Sequence, residues 1–101
     1  MSVLKKERLD GESVRAEIRI VNRLGLHARA AARFVETASR FAAEVTVASG
    51  EESVSGKSIL GLMMLAAAEG TTLTLLARGS DADAAIDALA DLVAQRFHEG
   101  V

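Results

Sequence analysis

The chain has 101 residues, half of them hydrophobic, with a formal net charge of -2 at pH 7 and no cysteine. This length predicts one domain with a hydrophobic core, and the lack of cysteine excludes a disulfide framework or a thiolate metal site. The slight acidity and the presence of only three aromatic residues, all phenylalanine, argue against nucleic acid as a partner, because phosphate backbones require a basic face and single strands require stacking platforms.

Residues 1–13 mix charges of both signs and contain no apolar run. Such a segment is neither a signal peptide nor a membrane anchor, so the sequence predicts a cytoplasmic protein without membrane association. We expect residues 1–13 to form a flexible N-terminal extension and residues 14–98 to form the domain.

The hydrophobic period predicts the first half of this domain as a strand, a helix and a hairpin. The strand over 14–20 alternates apolar and charged residues, and the amphipathic helix covers 28–40. The hairpin covers 43–55, with its turn at Ser49-Gly50. The apolar stripe of the helix is predicted on Ala28, Ala31, Ala32, Val35 and Ala38.

The second half is predicted as a short helix, a strand and a long helix. Ser58 caps the short helix, which runs to about Ala68 and which Gly70 ends. A strand over 71–78 follows, and Ser80 or Asp81 caps a last helix that extends to Phe97.

Each predicted strand is apolar on one face only, which is typical of an antiparallel sheet that helices cover on one side. We therefore expect an α/β (α+β) open-faced β-sandwich, with a four-stranded antiparallel sheet covered on one face by three helices in the order β-α-β-β-α-β-α. The chain has no internal repeat, low-complexity tract or proline, so nothing indicates a second domain.

A histidine stands where the first strand gives way to the first helix, in Gly25-Leu26-His27-Ala28-Arg29. The first N–H groups of a helix lack intrahelical acceptors and lie at the positive end of the macrodipole, so they can bind an anion carried on the side chain. Arg29 adds a forked cation suited to phosphate. His27 and Arg29 are therefore candidates for a phosphoryl site, although a histidine at a helix start is more often a solvated residue or a cap.

The segment from Gly25 to Ala31 resembles the active-site motif of the HPr family, the histidine phosphocarriers of the bacterial phosphotransferase system, where Gly-Leu-His-x-Arg-Pro-Ala is usual. Lys57-Ser58-Ile59, ahead of a short apolar helix, resembles a second motif of that family at the expected spacing. The resemblance covers about residues 14–97 and implies the strand order first-fourth-second-third. Ala30 replaces the family proline, and we expect little effect because alanine is a good helix former.

The resemblance implies that His27 accepts a phosphoryl group from enzyme I, or from its nitrogen-branch counterpart, and passes it to an enzyme IIA, with Arg29 stabilising the group. It implies a stoichiometric carrier rather than an enzyme, without cofactor or metal, and we expect a monomer. It also implies regulatory phosphorylation of Ser58 where an HPr serine kinase/phosphatase exists. The residues that it indicates for partner docking are Ala28, Arg33, Leu60, Met63 and Met64.

Several alternatives stay open at this level. The segment from Val21 to Gly25, just before His27, resembles the corresponding segment of the nitrogen-branch paralogue NPr more than that of sugar-transport HPr. An HPr-like adaptor that acts only by protein binding would not need His27 with Arg29, and a small-ligand sensor would need a cluster of polar residues that the sequence does not indicate. Residues 50–58 resemble a Walker A loop, but five residues separate the glycines where that loop has four.

Overall fold

A computed structural model describes residues 3–99 of the chain. The elements in chain order are β1 (Val3–Arg8), β2 (Ser13–Arg19), α1 (Ala28–Ala38), β3 (Glu44–Ser49), β4 (Glu52–Ser55), α2 (Ile59–Met64), β5 (Thr72–Arg78) and α3 (Ala82–Ala94). A short 3-10 segment, Arg96–His98, follows α3. Within this part of the chain, no helix is long and apolar enough to cross a membrane.

The described strands form one antiparallel sheet in the order β1-β2-β5-β3-β4. The four strands predicted from the sequence are β2 to β5, and they lie in the order first-fourth-second-third, as the resemblance implied. β5 is central, since its Leu75 pairs with Ala16 on one side and with Val47 on the other. The predicted class, an open-faced sandwich with three helices, is confirmed, and the strand count is corrected from four to five.

The additional strand, β1, lies in the segment that we expected to be flexible. Its backbone pairs antiparallel with β2, and the Lys6 amine lies 2.8 Å from an Asp83 oxygen and 2.7 Å from an Asp87 oxygen of α3. Hydrogen bonds with Asp83 and Asp87 raise the pKa of Lys6. Residues 3–8 therefore form a strand of the sheet, which the sequence analysis did not predict, because backbone pairing and ion pairs can support a strand that has no apolar run of its own.

The core lies between one face of the sheet and the helices. β2 follows the predicted alternation, with Val14, Ala16 and Ile18 buried and the charged residues between them half-buried. The predicted stripe of α1 is wrong in part, because Ala28 is exposed and Phe34, the largest apolar residue of the helix, sets the buried side. The buried residues of α1 are Ala30, Ala31, Phe34, Thr37 and Ala38.

All three predicted helices end earlier than expected, and α1 ends at Ala38 rather than at residue 40. α2 ends at Met64, ahead of Gly70, because Ala66 has a left-handed φ of 50° that interrupts the helix. α3 ends at Ala94, and Phe97 lies in the following left-handed turn with its side chain fully buried.

Asp81 precedes α3, but its side chain does not cap the helix as predicted. Its two carboxylate oxygens instead accept the backbone N–H groups of Ala42 and Ala43, at 2.9 and 2.8 Å. The hydrogen bond from Ala42 is the main cause that lowers the pKa of Asp81. Asp81 thus joins the α1–β3 connection to the start of α3.

Candidate functional site

A tight loop between β2 and α1 presents His27. Gly25 has a φ of +68°, which strains any residue with a side chain, and a Cβ at this position would lie 2.4 Å from the Ala67 carbonyl oxygen. The next residue, Leu26, is buried and donates its backbone N–H to the same oxygen at 2.8 Å. Gly25 therefore lets the loop pack against the segment after α2, and this contact fixes the position of His27.

His27 is the N-cap residue of α1. Its carbonyl oxygen accepts the Ala31 N–H at 2.8 Å, and its imidazole makes no capping bond. The backbone N–H groups of Ala28, Arg29 and Ala30 have no acceptor within residues 3–99. Ala30, which stands where the family usually has proline, contributes a donor that proline would lack. The start of α1 is therefore suited to bind the oxygens of an anion.

Two residues that the sequence reasoning missed hold the imidazole. Nε2 of His27 contacts Glu99 Oε2, and the Glu99 side chain is only 10% exposed. The other Glu99 oxygen accepts Asn22 Nδ2 at 2.8 Å, and the same amide nitrogen donates to the Gly25 carbonyl oxygen at 2.7 Å. Nδ1 of His27 has no hydrogen-bond partner in the described part of the chain. A lone Asn after a strand was the only signal for Asn22, and nothing in the sequence pattern pointed to Glu99.

A left-handed turn brings Glu99 to His27. All residues of Arg96–His98 have positive φ values, between 53° and 63°. The buried Phe97 side chain anchors this turn, and Arg33 donates from Nη1 to the Phe97 carbonyl oxygen. Arg33 thus has a structural contact, and its predicted part in docking stays a prediction.

Arg29 lies on the first turn of α1 with an exposed side chain. Its guanidinium makes no hydrogen bond or ion pair with any residue from 3 to 99, so it is available to a ligand. Its neighbour Ala28 is also exposed, as its predicted role in docking requires. Over the same range, no group of three or more His, Cys, Asp or Glu side chains could hold a metal ion.

An exposed apolar patch lies beside the histidine. We define the patch by its exposed side chains, which are Leu24, Ile59, Leu60, Met63 and Met64. An open cavity of about 300 Å³ is lined by Leu24 and Met63 of the patch, by His27, and by Leu26 and residues 66–68. Leu60, Met63 and Met64 are all exposed, as a docking role requires, and their use in docking stays a prediction.

Ser58 begins α2. Its Oγ accepts the Gly61 backbone N–H at 3.0 Å, which confirms the predicted cap. Its phosphorylation stays a prediction. The stretch before Ser58 that resembles a Walker A loop in sequence forms a hairpin turn and strand β4, Glu52–Ser55, rather than a phosphate-binding loop.

Most of the chain is similar to known phosphocarrier proteins. A family model described as "PTS HPr component phosphorylation site" matches residues 14–95. The phosphocarrier protein NPr of Shewanella violacea is 51% identical over 83 residues, which cover 82% of this chain and 91% of the relative. The phosphocarrier protein HPr of Neisseria meningitidis is 51% identical over 87 residues, which cover 86% of this chain and 98% of the relative.

Solved structures agree with these matches. The crystal structure of HPr-C-His from Thermoanaerobacter tengcongensis has a TM-score of 0.82 and 42% identity, and the match covers 86% of this chain and 98% of that one. The fold and the site define a small α/β sandwich that carries a histidine at the start of its first helix. With the family model matched over most of its length, the chain belongs to the PTS HPr family.

Proposed function

We propose that this protein is a phosphocarrier of the phosphoenolpyruvate-dependent phosphotransferase system and that His27 carries the phosphoryl group. The observation that carries the proposal is the position of His27, the N-cap residue of α1, beside the backbone N–H groups of Ala28, Arg29 and Ala30, which have no acceptor within residues 3–99. The description of the matched family and the names of the relatives support it, since they specify phosphorylation and phosphocarrier proteins.

Nδ1 of His27 is the nucleophile in this proposal, because it has no partner within residues 3–99 whereas Nε2 is engaged. Its lone pair attacks the phosphorus of a phosphohistidine on the donor, and the donor's N–P bond breaks as the new N–P bond forms. The N–H groups at the start of α1 and the Arg29 guanidinium then bind the phosphoryl oxygens. A histidine on the acceptor removes the group by the same reaction in reverse, so the protein is a stoichiometric carrier.

The proposed donor is enzyme I or its nitrogen-branch counterpart, and the proposed acceptor is an enzyme IIA. The apolar patch is the proposed docking surface, since flexible methionines suit a surface that meets several partners. Relatives named NPr and HPr match at the same 51% identity, so the nitrogen branch is a second candidate role. The two branches can be distinguished by comparing enzyme I with its nitrogen-branch counterpart. The one that phosphorylates the chain faster indicates the branch.

Labelling with phosphoenolpyruvate and each enzyme I tests the proposal. The wild-type chain should acquire an acid-labile phosphate, and His27→Ala should acquire none while its thermal unfolding stays cooperative. His98→Asn is the matched control, because it removes the other histidine and asparagine tolerates the left-handed φ of 63° at that position. A wild-type chain that neither enzyme I labels refutes the carrier role. Normal labelling of His27→Ala refutes the site.

A further inference from the structure

Glu99 is a largely buried acid in direct contact with the reactive ring, through Oε2 and Nε2 of His27. An ionised carboxylate can only accept hydrogen bonds, so Nε2 must donate and the neutral ring keeps its lone pair on Nδ1. We propose that Glu99 is a positioning residue that fixes this tautomer of His27 and balances the charge that the ring acquires on phosphoryl transfer. This inference rests on the proposed function of His27.

Asn22 fixes the orientation of the carboxylate. It is fully buried, and its Nδ2 donates to the Gly25 carbonyl oxygen at 2.7 Å and to Glu99 Oε1 at 2.8 Å. Reversing the amide would place Oδ1 against two acceptor oxygens, so the donor assignment follows from the surroundings. Because Asn22 engages Oε1, the other carboxylate oxygen remains directed at His27.

The backbone around Glu99 is built to hold this contact. Consecutive left-handed residues without glycine are unfavourable, and such a turn persists only where the surrounding structure over-determines it. Here the buried side chain of Phe97 and the hydrogen bond from Arg33 to its carbonyl oxygen hold Arg96–His98 in place. Arg33 extends from the same helix that His27 begins, so one element positions both the imidazole and its acid.

The charge that the ring acquires in the reaction suits an acidic partner. When neutral His27 attacks through Nδ1, the electron pair of the broken N–P bond returns to the donor ring, and His27 then carries phosphorus on Nδ1 and hydrogen on Nε2. The ring is formally cationic in this state, and no proton has to leave. The Glu99 carboxylate lies against Nε2 and offsets this charge, as an oriented acid does for a catalytic histidine in other proteins.

Glu99→Gln is the decisive variant because it nearly preserves shape and reverses one hydrogen bond. Asn22 Nδ2 still needs an acceptor, so the glutamine oxygen faces Asn22 and its NH₂ group faces Nε2 of His27. Nε2 must then accept, the ring hydrogen moves to Nδ1, and the attacking lone pair is lost. Nitrogen-15 NMR of the neutral imidazole should show hydrogen on Nε2 in the wild type and on Nδ1 in Glu99→Gln. Phosphoryl acceptance by the variant should slow at least about tenfold.

Glu51→Gln is the matched control, since it removes the same charge in the β3–β4 turn, where Glu51 has no contact with His27. It should leave both the NMR signature and the acceptance rate unchanged. The wild-type spectrum alone tests the proposal, because a neutral His27 ring with its hydrogen on Nδ1 would overturn it. The test therefore holds even if Glu99→Gln folds poorly. An unchanged spectrum or an unchanged rate in folded Glu99→Gln also overturns it. The spectra are recorded on unphosphorylated protein, so a wild type that accepts no phosphate contradicts the proposed function while the tautomer measurement still stands on its own.

Discussion

A negative charge at Ser58 should weaken partner docking and leave the fold intact. Ser58 begins α2, whose Leu60, Met63 and Met64 side chains are exposed on the apolar patch. Its Oγ accepts the Gly61 N–H at 3.0 Å, a bond that an aspartate carboxylate at the same position can also make. Ser58→Asp therefore adds part of the charge of a phosphoserine and keeps the cap, whereas Ser58→Ala removes the cap and adds no charge.

Ser58→Asp should change partner docking, whereas Ser58→Ala should change the free energy of unfolding. Like charges 4 Å apart repel by about 1 kcal/mol in bulk water and about 4 kcal/mol near a protein surface. Ser58 is half-buried, so we expect Ser58→Asp to weaken docking to a partner with an acidic rim by about 1 to 3 kcal/mol, or about tenfold to a hundredfold in transfer efficiency. Ser58→Ala should instead cost about 1 kcal/mol of the free energy of unfolding and lower the Tm by about 4 to 8 °C.

The assay combines the rate of phosphoryl acceptance from enzyme I, measured over a range of salt concentrations, with thermal unfolding. Ser58→Asp should lose transfer efficiency most at low salt and keep a Tm close to that of the wild type. Leu60→Glu is the comparison variant, because a charge within the apolar patch should produce a similar transfer defect. If Ser58→Asp accepts phosphate as efficiently as the wild type at every salt concentration, Ser58 is only a helix cap and the regulatory role is refuted.

Three further predictions concern Arg29, Gly25 and Asp81. Arg29→Lys should still be labelled but about tenfold more slowly, since it loses a charge-assisted hydrogen bond worth about 1.5 kcal/mol, and a wild-type rate would show that Arg29 is only solvated. Gly25→Ala should lose at least about 1 to 2 kcal/mol of unfolding free energy and slow the labelling of His27, because the residue has a left-handed φ and the added Cβ would lie 2.4 Å from a carbonyl oxygen. An unchanged unfolding free energy and labelling rate would refute this account of the loop. The hydrogen bond from the Ala42 N–H lowers the pKa of Asp81. The Asp81 carboxylate therefore contributes stability that is present above the unfolded-state pKa of about 3.9, and this stability is lost as the pH falls through the lower folded-state pKa. Asp81→Asn should therefore flatten the decline of the Tm below about pH 4, and an unchanged acid profile would contradict the assignment.

Local patterns were enough to predict most of the sandwich. Alternation in β2 and β5, the turn at Gly50 and the Ser58 cap each depend on residues close together in the chain, and the structure has each of them. The order of the strands came only from the family resemblance, because alternation shows which face of a strand is buried and not which strand lies beside it. The position of His27 at a helix start was likewise readable, since the helical period begins directly after it, at Ala28.

The errors lie where distant residues decide the structure. β1 contains no strong apolar pattern, and its order comes from pairing with β2 and from the contacts of Lys6 with α3, some 80 residues away in the chain. The true face of α1 was set by Phe34, whose burial depends on the sheet beneath it. Periodicity gives the shape of a helix but leaves its rotation uncertain when alanines are spread around it.

Glu99 shows why a residue that contacts a candidate site from a distant part of the chain is harder to predict than the candidate itself. Its relation to His27 spans 72 positions and requires the chain to reverse through Arg96–His98, none of which is a residue that favours a left-handed φ as glycine does. The reversal becomes favourable only once Phe97 is buried, so the contact between acid and imidazole is a product of the assembled core. The proposed phosphoryl acceptor can be recognised from a short motif because the local backbone places it beside the N–H groups at the start of α1. The tautomer proposed for His27 depends on the tertiary fold, and for that reason we expect mutations around Phe97 to alter the chemistry of His27 without touching its motif.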